Sequence, residues 1–147
     1  FEPALALDGG TAYLAVAGRF AWLPLLFSFI VFFWVSGFDI IYALQDEEFD
    51  KEQKLHSVPA RLGKKNALRL SELSHLVCAA LLLFAGWYGR FGAWYWTGCA
   101  LFIGLLVYQH RLVRPNDLSR VNLAFFTTNG IASVVFAVFV IIELLLV

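Results

Sequence analysis

Four long apolar segments make up most of this chain and restrict what it can fold into. An α-helix needs about 20 residues to cross a hydrocarbon core of roughly 30 Å, at about 1.5 Å per residue. Each segment is near or above that length. In lipid the backbone must satisfy its own hydrogen bonds, which favours helices over open strands. We therefore predict an all-α, polytopic transmembrane bundle of about four helices, at about 20–45, 67–88, 93–109 and 119–147.

The composition supports a membrane protein in a lipid bilayer. Hydrophobic residues make up 61% of the 147 residues, more than a soluble domain of this size can bury. The 11 basic residues are balanced by 11 acidic residues and form no continuous stripe, so no nucleic-acid partner is predicted. Cys78 and Cys99 lie inside apolar segments, where we expect small packing residues rather than a disulfide or zinc site.

The basic residues predict how the bundle is oriented in the inner (cytoplasmic) membrane. Nine lysines and arginines lie in or beside the two connections on one side, whereas only Arg19 and Arg90 lie on the other. Cytoplasmic loops carry an excess of basic residues, so the side with nine is predicted to face the cytoplasm. That side includes the acidic connection that runs from Asp46 to Asn66.

The stretch GFDIIYALQDEEFDKEQKLHSVPARLG, residues 37–63, starts inside the first apolar segment and is rich in acidic residues. Asp39, Asp46 and Asp50 are separated by seven and four residues, which places them within roughly 40° of one face of an ideal α-helix. Asp46 and Asp50 would lie about 6 Å apart along the axis. Mg²⁺ is typically held by one or two carboxylates together with substrate phosphate. The spacing therefore predicts a Mg²⁺ and diphosphate site, with Tyr42 close to it.

Other polar residues near this stretch support weaker predictions. Asp39 lies within the apolar segment, where a charge is costly and is usually functional. Glu47, Glu48 and Glu52 are interpreted as solvated loop acids, and His56 could contact diphosphate. Several basic residues follow and could hold the outer diphosphate oxygens: Lys51, Lys54, Arg61, Lys64 and Lys65.

Three further sets of polar residues lie in the later segments. Glu72 and His75 are one turn apart and are predicted to form a local structural pair, whereas His110 is predicted to be solvated at a helix end. Asn122 and Asn129 are seven residues apart and share one face of an ideal helix. They would either form hydrogen bonds between helices or line the substrate cavity.

The strings GFDIIYALQDEEFD and LHSVPARLG resemble the second aspartate-rich region of the UbiA-type intramembrane prenyltransferases. They follow that family's D-x-x-Y-A-x-x-D-x-x-x-D pattern, and the later string FFTTNGIASVVF resembles its final helix. The resemblance implies a nine-helix parent, of which residues 1–147 would be the C-terminal half of one transmembrane domain. Nothing in the chain matches the family's first aspartate-rich region, so we expect the missing N-terminal half to be a partner.

The resemblance also implies a reaction and roles for individual residues. A polyprenyl group would pass from polyprenyl diphosphate to a hydroxylated aromatic acid, 4-hydroxybenzoate or a similar acceptor, in a Mg²⁺-dependent step of quinone biosynthesis. Asp46 and Asp50 would bind the metal, and Asp39 and Tyr42 would orient the reacting groups as catalytic residues. The expected diphosphate contacts are Arg61, Lys54 and Ser57.

Two alternative functions stay open from the sequence. The acceptor could be a dihydroxynaphthoate on a menaquinone route. From a different class, the chain could belong to a transporter or channel, with Asp39, Asp46 and Asp50 along a cation pathway. A transport path needs polar residues through the membrane, and residues 23–35 offer almost only Ser28, which favours the prenyltransferase.

Overall fold

The computed structural model describes residues 13–146, which form helices joined by short connections and contain no β-strand. The prediction of an all-α membrane bundle is confirmed. Helix α1 (Trp22–Ala43) continues through a 3₁₀ turn (Leu44–Asp46) into a short helix, α2 (Glu47–Glu52). Helices α3 (Val58–Tyr88) and α4 (Ala93–Leu112) follow. A π-helical segment (Leu123–Thr128) then leads into α5 (Asn129–Leu146).

Three helical runs are long and apolar enough to cross a membrane, as judged by length and composition. They are Trp22–Glu52, Val58–Tyr88 and Leu123–Leu146. Helix α4, the predicted third segment, has 20 residues but does not belong to this set, because its tryptophans, tyrosines and terminal polar residues lower its hydropathy. It nevertheless packs within the bundle, with Tyr95, Cys99 and Phe102 in the main core.

Helix α3 begins at Val58 rather than near Ala67, because a helix start signal lies within the predicted loop. The Ser57 hydroxyl accepts a hydrogen bond from the Ala60 N–H at 3.3 Å, and a proline occupies the first turn. Gly63 interrupts this first part of α3 with φ 77° and ψ 158°, a conformation that glycine adopts most readily. Several basic residues of the predicted loop are therefore on a helix.

The His75 side chain, on α3, contacts both α1 and α4. Its Nε2 lies 3.1 Å from the carbonyl oxygen of Trp34 on α1, and its Nδ1 lies 2.7 Å from His110 Nε2 on α4. The prediction of a local Glu72–His75 pair is therefore wrong, as is that of a solvated His110, which is partly buried. The sequence pattern did not reveal that the two rings, 35 residues apart, face each other.

Glycine permits the close contact between α1 and α3 beside this junction. A Cβ atom on Gly37 would lie 2.3 Å from ring atoms of His75, so a larger residue would push the ring away. The Ser71 hydroxyl donates a hydrogen bond to the Gly37 carbonyl oxygen at 2.6 Å. Asp39 lies two residues beyond Gly37, so this contact fixes the part of α1 that carries it.

A buried glutamate on α5 caps the start of α4. Glu143 accepts hydrogen bonds from the backbone N–H of Gly92 and, at 3.3 Å, from that of Tyr95. Its negative charge lies where a helix exposes unpaired N–H groups and the positive end of its dipole. These contacts explain an acidic residue in an otherwise apolar segment. Cys78 and Cys99 lie buried in the hydrophobic core, which confirms the prediction that they are packing residues.

We expect Glu143→Ala to destabilise the bundle by about 1–2 kcal/mol, because it leaves buried N–H groups at the start of α4 without an acceptor. Glu143→Gln retains an acceptor oxygen and should cost less. The measurement is SDS-induced unfolding in mixed micelles, followed by tryptophan fluorescence. The exposed Glu52→Ala is the control; equal effects of Glu143→Ala and Glu52→Ala would contradict the cap.

Candidate active site

An open cleft of about 680 Å³ lies between the end of α1 and the start of α3. Three of the predicted site residues line it, namely Asp39 and Tyr42 from α1 and Ser57 from the N-cap of α3. His56, which the sequence marked as a weaker candidate, lines it as well. The remaining lining residues are Ser36, Ile40, Ala43 and Val58. The fold therefore brings a carboxylate, a phenol, an imidazole and a hydroxyl to one apolar cleft.

Aromatic contacts with the π-helical segment hold Tyr42 in place. The Tyr42 ring lies 4.3 Å from that of Phe125, at an interplanar angle of 30°, and 6.1 Å from that of Phe126. Phe38, one turn earlier on α1, also contacts Phe125, at 5.3 Å. Tyr42 is still 38% exposed, so its ring is positioned by packing while part of it faces the cleft.

Asp46 and Asp50 follow the cleft on the next turns of the chain. They do not line it: Asp46 is exposed in the 3₁₀ turn, and Asp50 is partly buried on α2. The predicted common face assumed one uninterrupted α-helix. Each residue of a 3₁₀ turn is rotated about the helix axis by about 20° more than a residue of an α-helix. The three aspartates therefore do not have the angular positions that one ideal α-helix would give them.

The oxygen donors of this region fit Mg²⁺ only in combination with other ligands. Within residues 13–146, no three His, Cys, Asp or Glu side chains are grouped to hold a metal ion. The carboxylates of Asp46 and Asp50 are hard oxygen ligands, and Mg²⁺ commonly takes one or two carboxylates with phosphate oxygens and water completing its shell. Carboxylates of this kind would suit a metal that arrives with a diphosphate.

The predicted diphosphate contacts occupy different positions around the cleft. Ser57 uses its hydroxyl oxygen to cap α3, which leaves its O–H free to donate. Arg61 is exposed on the first turns of α3. Lys54 is exposed as well, and its backbone has a positive φ of 54° in the connection before α3. Ser57 lines the cleft, and the exposed cations of Lys54 and Arg61 lie three and four residues from Ser57 along the chain.

Glu47 is a structural residue that the sequence interpretation missed. It was predicted to be a solvated acid, but it is buried and forms ion pairs with Lys51 at 2.6 Å and with Lys64 at 3.5 Å. Because Lys64 belongs to α3, the pair attaches α2 to that helix. Glu48, its neighbour, is 87% exposed and lies 3.8 Å from Lys64. The four-residue spacing of Glu47 and Lys51 was the available signal.

Asn122 and Asn129 do not share a face, because the π-helical segment lies between them. One extra residue per π turn shifts the helix phase by about 100°. Asn122 is exposed, and its Oδ1 accepts a hydrogen bond from Gln45 Nε2 at 3.2 Å. This hydrogen bond links the start of the π-helical segment to the end of α1. Asn129 is buried, and its amide N and O have no hydrogen-bond partner within residues 13–146.

A second buried amide lies near the level of Asn129. Gln109 on α4 is fully buried, and both of its amide atoms also lack partners in the described part of the chain. Phe102 and Phe136 contact each other at 5.3 Å across the antiparallel helices α4 and α5. Asn129 comes two turns before Phe136 and Gln109 two turns after Phe102, which places them at similar depth. Such unpaired buried amides are suited to a polar ligand group.

Comparison with known proteins identifies the family. The chain matches the UbiA prenyltransferase family over residues 5–141 and belongs to that family. It is 30% identical over 117 residues to a 4-hydroxybenzoate octaprenyltransferase of Nitrosomonas europaea, covering 80% of this chain and 39% of that protein. A protein of the same name from Coxiella burnetii is 28% identical over 125 residues, covering 85% of this chain and 43% of that protein.

The chain therefore spans about two fifths of the length of these two curated relatives. A 4-hydroxybenzoate octaprenyltransferase of Chromohalobacter salexigens is 29% identical over 107 residues, which cover 71% of this chain and 35% of that protein. No solved structure matches the chain. The family membership predicted from the aspartate-rich string is confirmed.

We expect Glu47→Gln to destabilise the packing of α2 on α3 by about 1–2 kcal/mol, because Lys64 loses a buried partner. Glu48→Gln should have almost no effect, since that carboxylate is already in solvent. SDS unfolding of the two variants, which remove the same charge from adjacent positions, measures the difference. Equal midpoints would show that Glu47 does not attach α2 to α3.

Proposed function

We propose that this chain supplies the second aspartate-rich half of an enzyme that transfers a polyprenyl group to an aromatic acid in quinone biosynthesis. The observation that carries the proposal is the D-x-x-Y-A-x-x-D-x-x-x-D string of a UbiA-family chain at the end of a membrane-spanning helix, with Asp39 and Tyr42 in an open cleft. The names of the three relatives favour 4-hydroxybenzoate over a dihydroxynaphthoate as the acceptor.

The proposed reaction breaks one bond and forms another. The C1–O bond of the polyprenyl diphosphate breaks, and diphosphate leaves with the electron pair. A ring carbon of the acceptor bonds to C1, and the ring then loses its proton to water or to the released diphosphate. Mg²⁺ bound by Asp46 and Asp50 would neutralise the departing diphosphate. Lys54, Arg61 and the Ser57 hydroxyl would bind its outer oxygens.

The cleft residues have a different role from these charged groups. Asp39 and Tyr42 would orient the prenyl C1 and the acceptor ring against each other, and positioning of this kind can supply a large part of a rate enhancement. The Tyr42 ring lines the cleft, and its electron-rich face would favour the positive charge that develops on the allylic carbon. Asn129, which does not line this cleft, has a buried amide without a partner within residues 13–146 and would hold a polar group of a substrate.

Access from both the membrane and the cytoplasm suits this pair of substrates. The apolar faces of the helices would accommodate the prenyl tail in the bilayer. The basic residues predict that the acidic connection lies on the cytoplasmic side of the inner membrane. A water-soluble aromatic acid would reach the site from the cytoplasm. The matched relatives are more than twice as long as the matched region. We propose that an N-terminal portion, expected from the resemblance to the family, completes the site with a second acidic region.

We expect Asp46→Asn and Asp50→Asn to lower prenyl transfer at least about 100-fold, because each removes a charged metal ligand with little change in shape. The test uses a chimera in which this chain replaces the matching part of the Nitrosomonas europaea relative, in a host that lacks its own enzyme. Mg²⁺-dependent incorporation of labelled prenyl chain into 4-hydroxybenzoate is measured. Glu48→Gln is the control, and a loss there as large as in Asp46→Asn would contradict the assigned roles.

We also expect the 147-residue chain alone to show no transfer activity in the same assay. One acidic region can bind metal on one side of the diphosphate, but the leaving group must be neutralised and aligned as the bond breaks. Co-expression with the N-terminal portion of the relative should restore turnover, since membrane helices can insert separately and then associate. Clear turnover by the chain alone would refute the need for a second acidic region.

A further inference from the structure

A second concave surface lies between α3 and α4, outside the proposed active site. It is a groove of about 370 Å³ with a polar end and an apolar end. Glu72, His110 and Arg111 form the polar end, together with His75. The apolar walls extend farther along the helices, by about 6 Å on α3 and about 10 Å on α4. The apolar lining residues are Leu76, Ala79, Ile103, Leu106 and Val107.

The hydrogen bonds of the two histidines define what the polar end requires. The Trp34 carbonyl oxygen can only accept, so the proton of neutral His75 is on Nε2 and its Nδ1 is an acceptor. His110 Nε2 must then donate to His75 Nδ1, which leaves His110 Nδ1 as an acceptor when that ring is neutral. This atom is buried and has no partner within residues 13–146. A ligand that fits here therefore carries a hydrogen-bond donor.

The charges at the polar end are of both signs. Glu72 contributes a negative charge on α3 and Arg111 a positive charge on α4, and both side chains are exposed at the same end of the groove. A ligand with a single charge would match one of these residues and oppose the other. A zwitterion that has its cationic and anionic groups a few bonds apart would match both.

We propose that this groove binds phosphatidylethanolamine. Its ammonium group donates hydrogen bonds to the Glu72 carboxylate and His110 Nδ1, and its phosphate accepts them from the Arg111 guanidinium. One acyl chain lies along the apolar walls. Phosphatidylcholine has the same charges but no N–H donor, and phosphatidylglycerol has no cation for Glu72. The headgroup chemistry, rather than apolar contact, thus selects the lipid.

The test is native mass spectrometry of the full chain in mild detergent with lipids of identical acyl chains. The series runs from phosphatidylethanolamine through its N-monomethyl and N,N-dimethyl forms to phosphatidylcholine, and removes one N–H donor at each step. We expect retention of the lipid to fall stepwise, by roughly tenfold over the series. Equal retention across the series, preference for phosphatidylglycerol, or no bound lipid at all would overturn the proposal.

Two substitutions test whether the residues of the groove cause the preference between lipids. Glu72→Gln should reduce the preference for phosphatidylethanolamine over phosphatidylcholine without abolishing it, because His110 Nδ1 remains as an acceptor. Arg111→Gln should weaken the binding of both lipids. Glu52→Gln and Arg120→Gln remove the same charges at exposed positions that do not line the groove, and should leave binding unchanged. Circular dichroism checks the fold of each variant. Unchanged selectivity in folded Glu72→Gln would overturn the assignment, and the lipid series on the unsubstituted chain tests it without any variant.

Discussion

The contact of His75 with α1 and α4 is the interaction on which the arrangement of the other parts depends. An imidazole has only two nitrogens, and here one contacts the backbone of α1 while the other contacts a side chain of α4. Gly37 leaves space for the ring, and the Ser71 hydroxyl binds the Gly37 carbonyl. The turn that presents Asp39 to the cleft follows directly, so the polar interior of the bundle sets the geometry of its candidate site.

Much of the fold could be predicted because lipid leaves the chain few alternatives. The apolar segments had to be helices, and each of the four corresponds to an observed helix. The ends of the helices were harder to predict, since they depend on caps and not on apolar length. Helix α3 extends beyond the apolar segment because Ser57 caps it, and α4 starts where Glu143, on a helix that follows much later in the chain, supplies an acceptor.

The candidate site could be predicted in part for a similar reason. A motif with regular spacing revealed which residue types belong to the region, and Asp39, Tyr42 and Ser57 do line one cleft. The motif could not reveal the 3₁₀ turn that changes the phase of Asp46, nor that Glu47 is buried beside Lys64 of another helix. Such features arise from contacts between helices, which the periodicity of one segment does not contain.

The winding of the π-helical segment determines the side-chain positions at both ends of the last helical run. It places Phe125 beside Tyr42 at one end, and the same helical run carries Glu143 to Gly92 at the other, about 27 Å away along the axis. Loss of one residue from this segment would return it to α-helical winding and turn everything beyond it by about 100°. Glu143 would then point away from the start of α4. A change of a single residue in length beside the cleft would therefore undo a helix cap on the far side of the membrane.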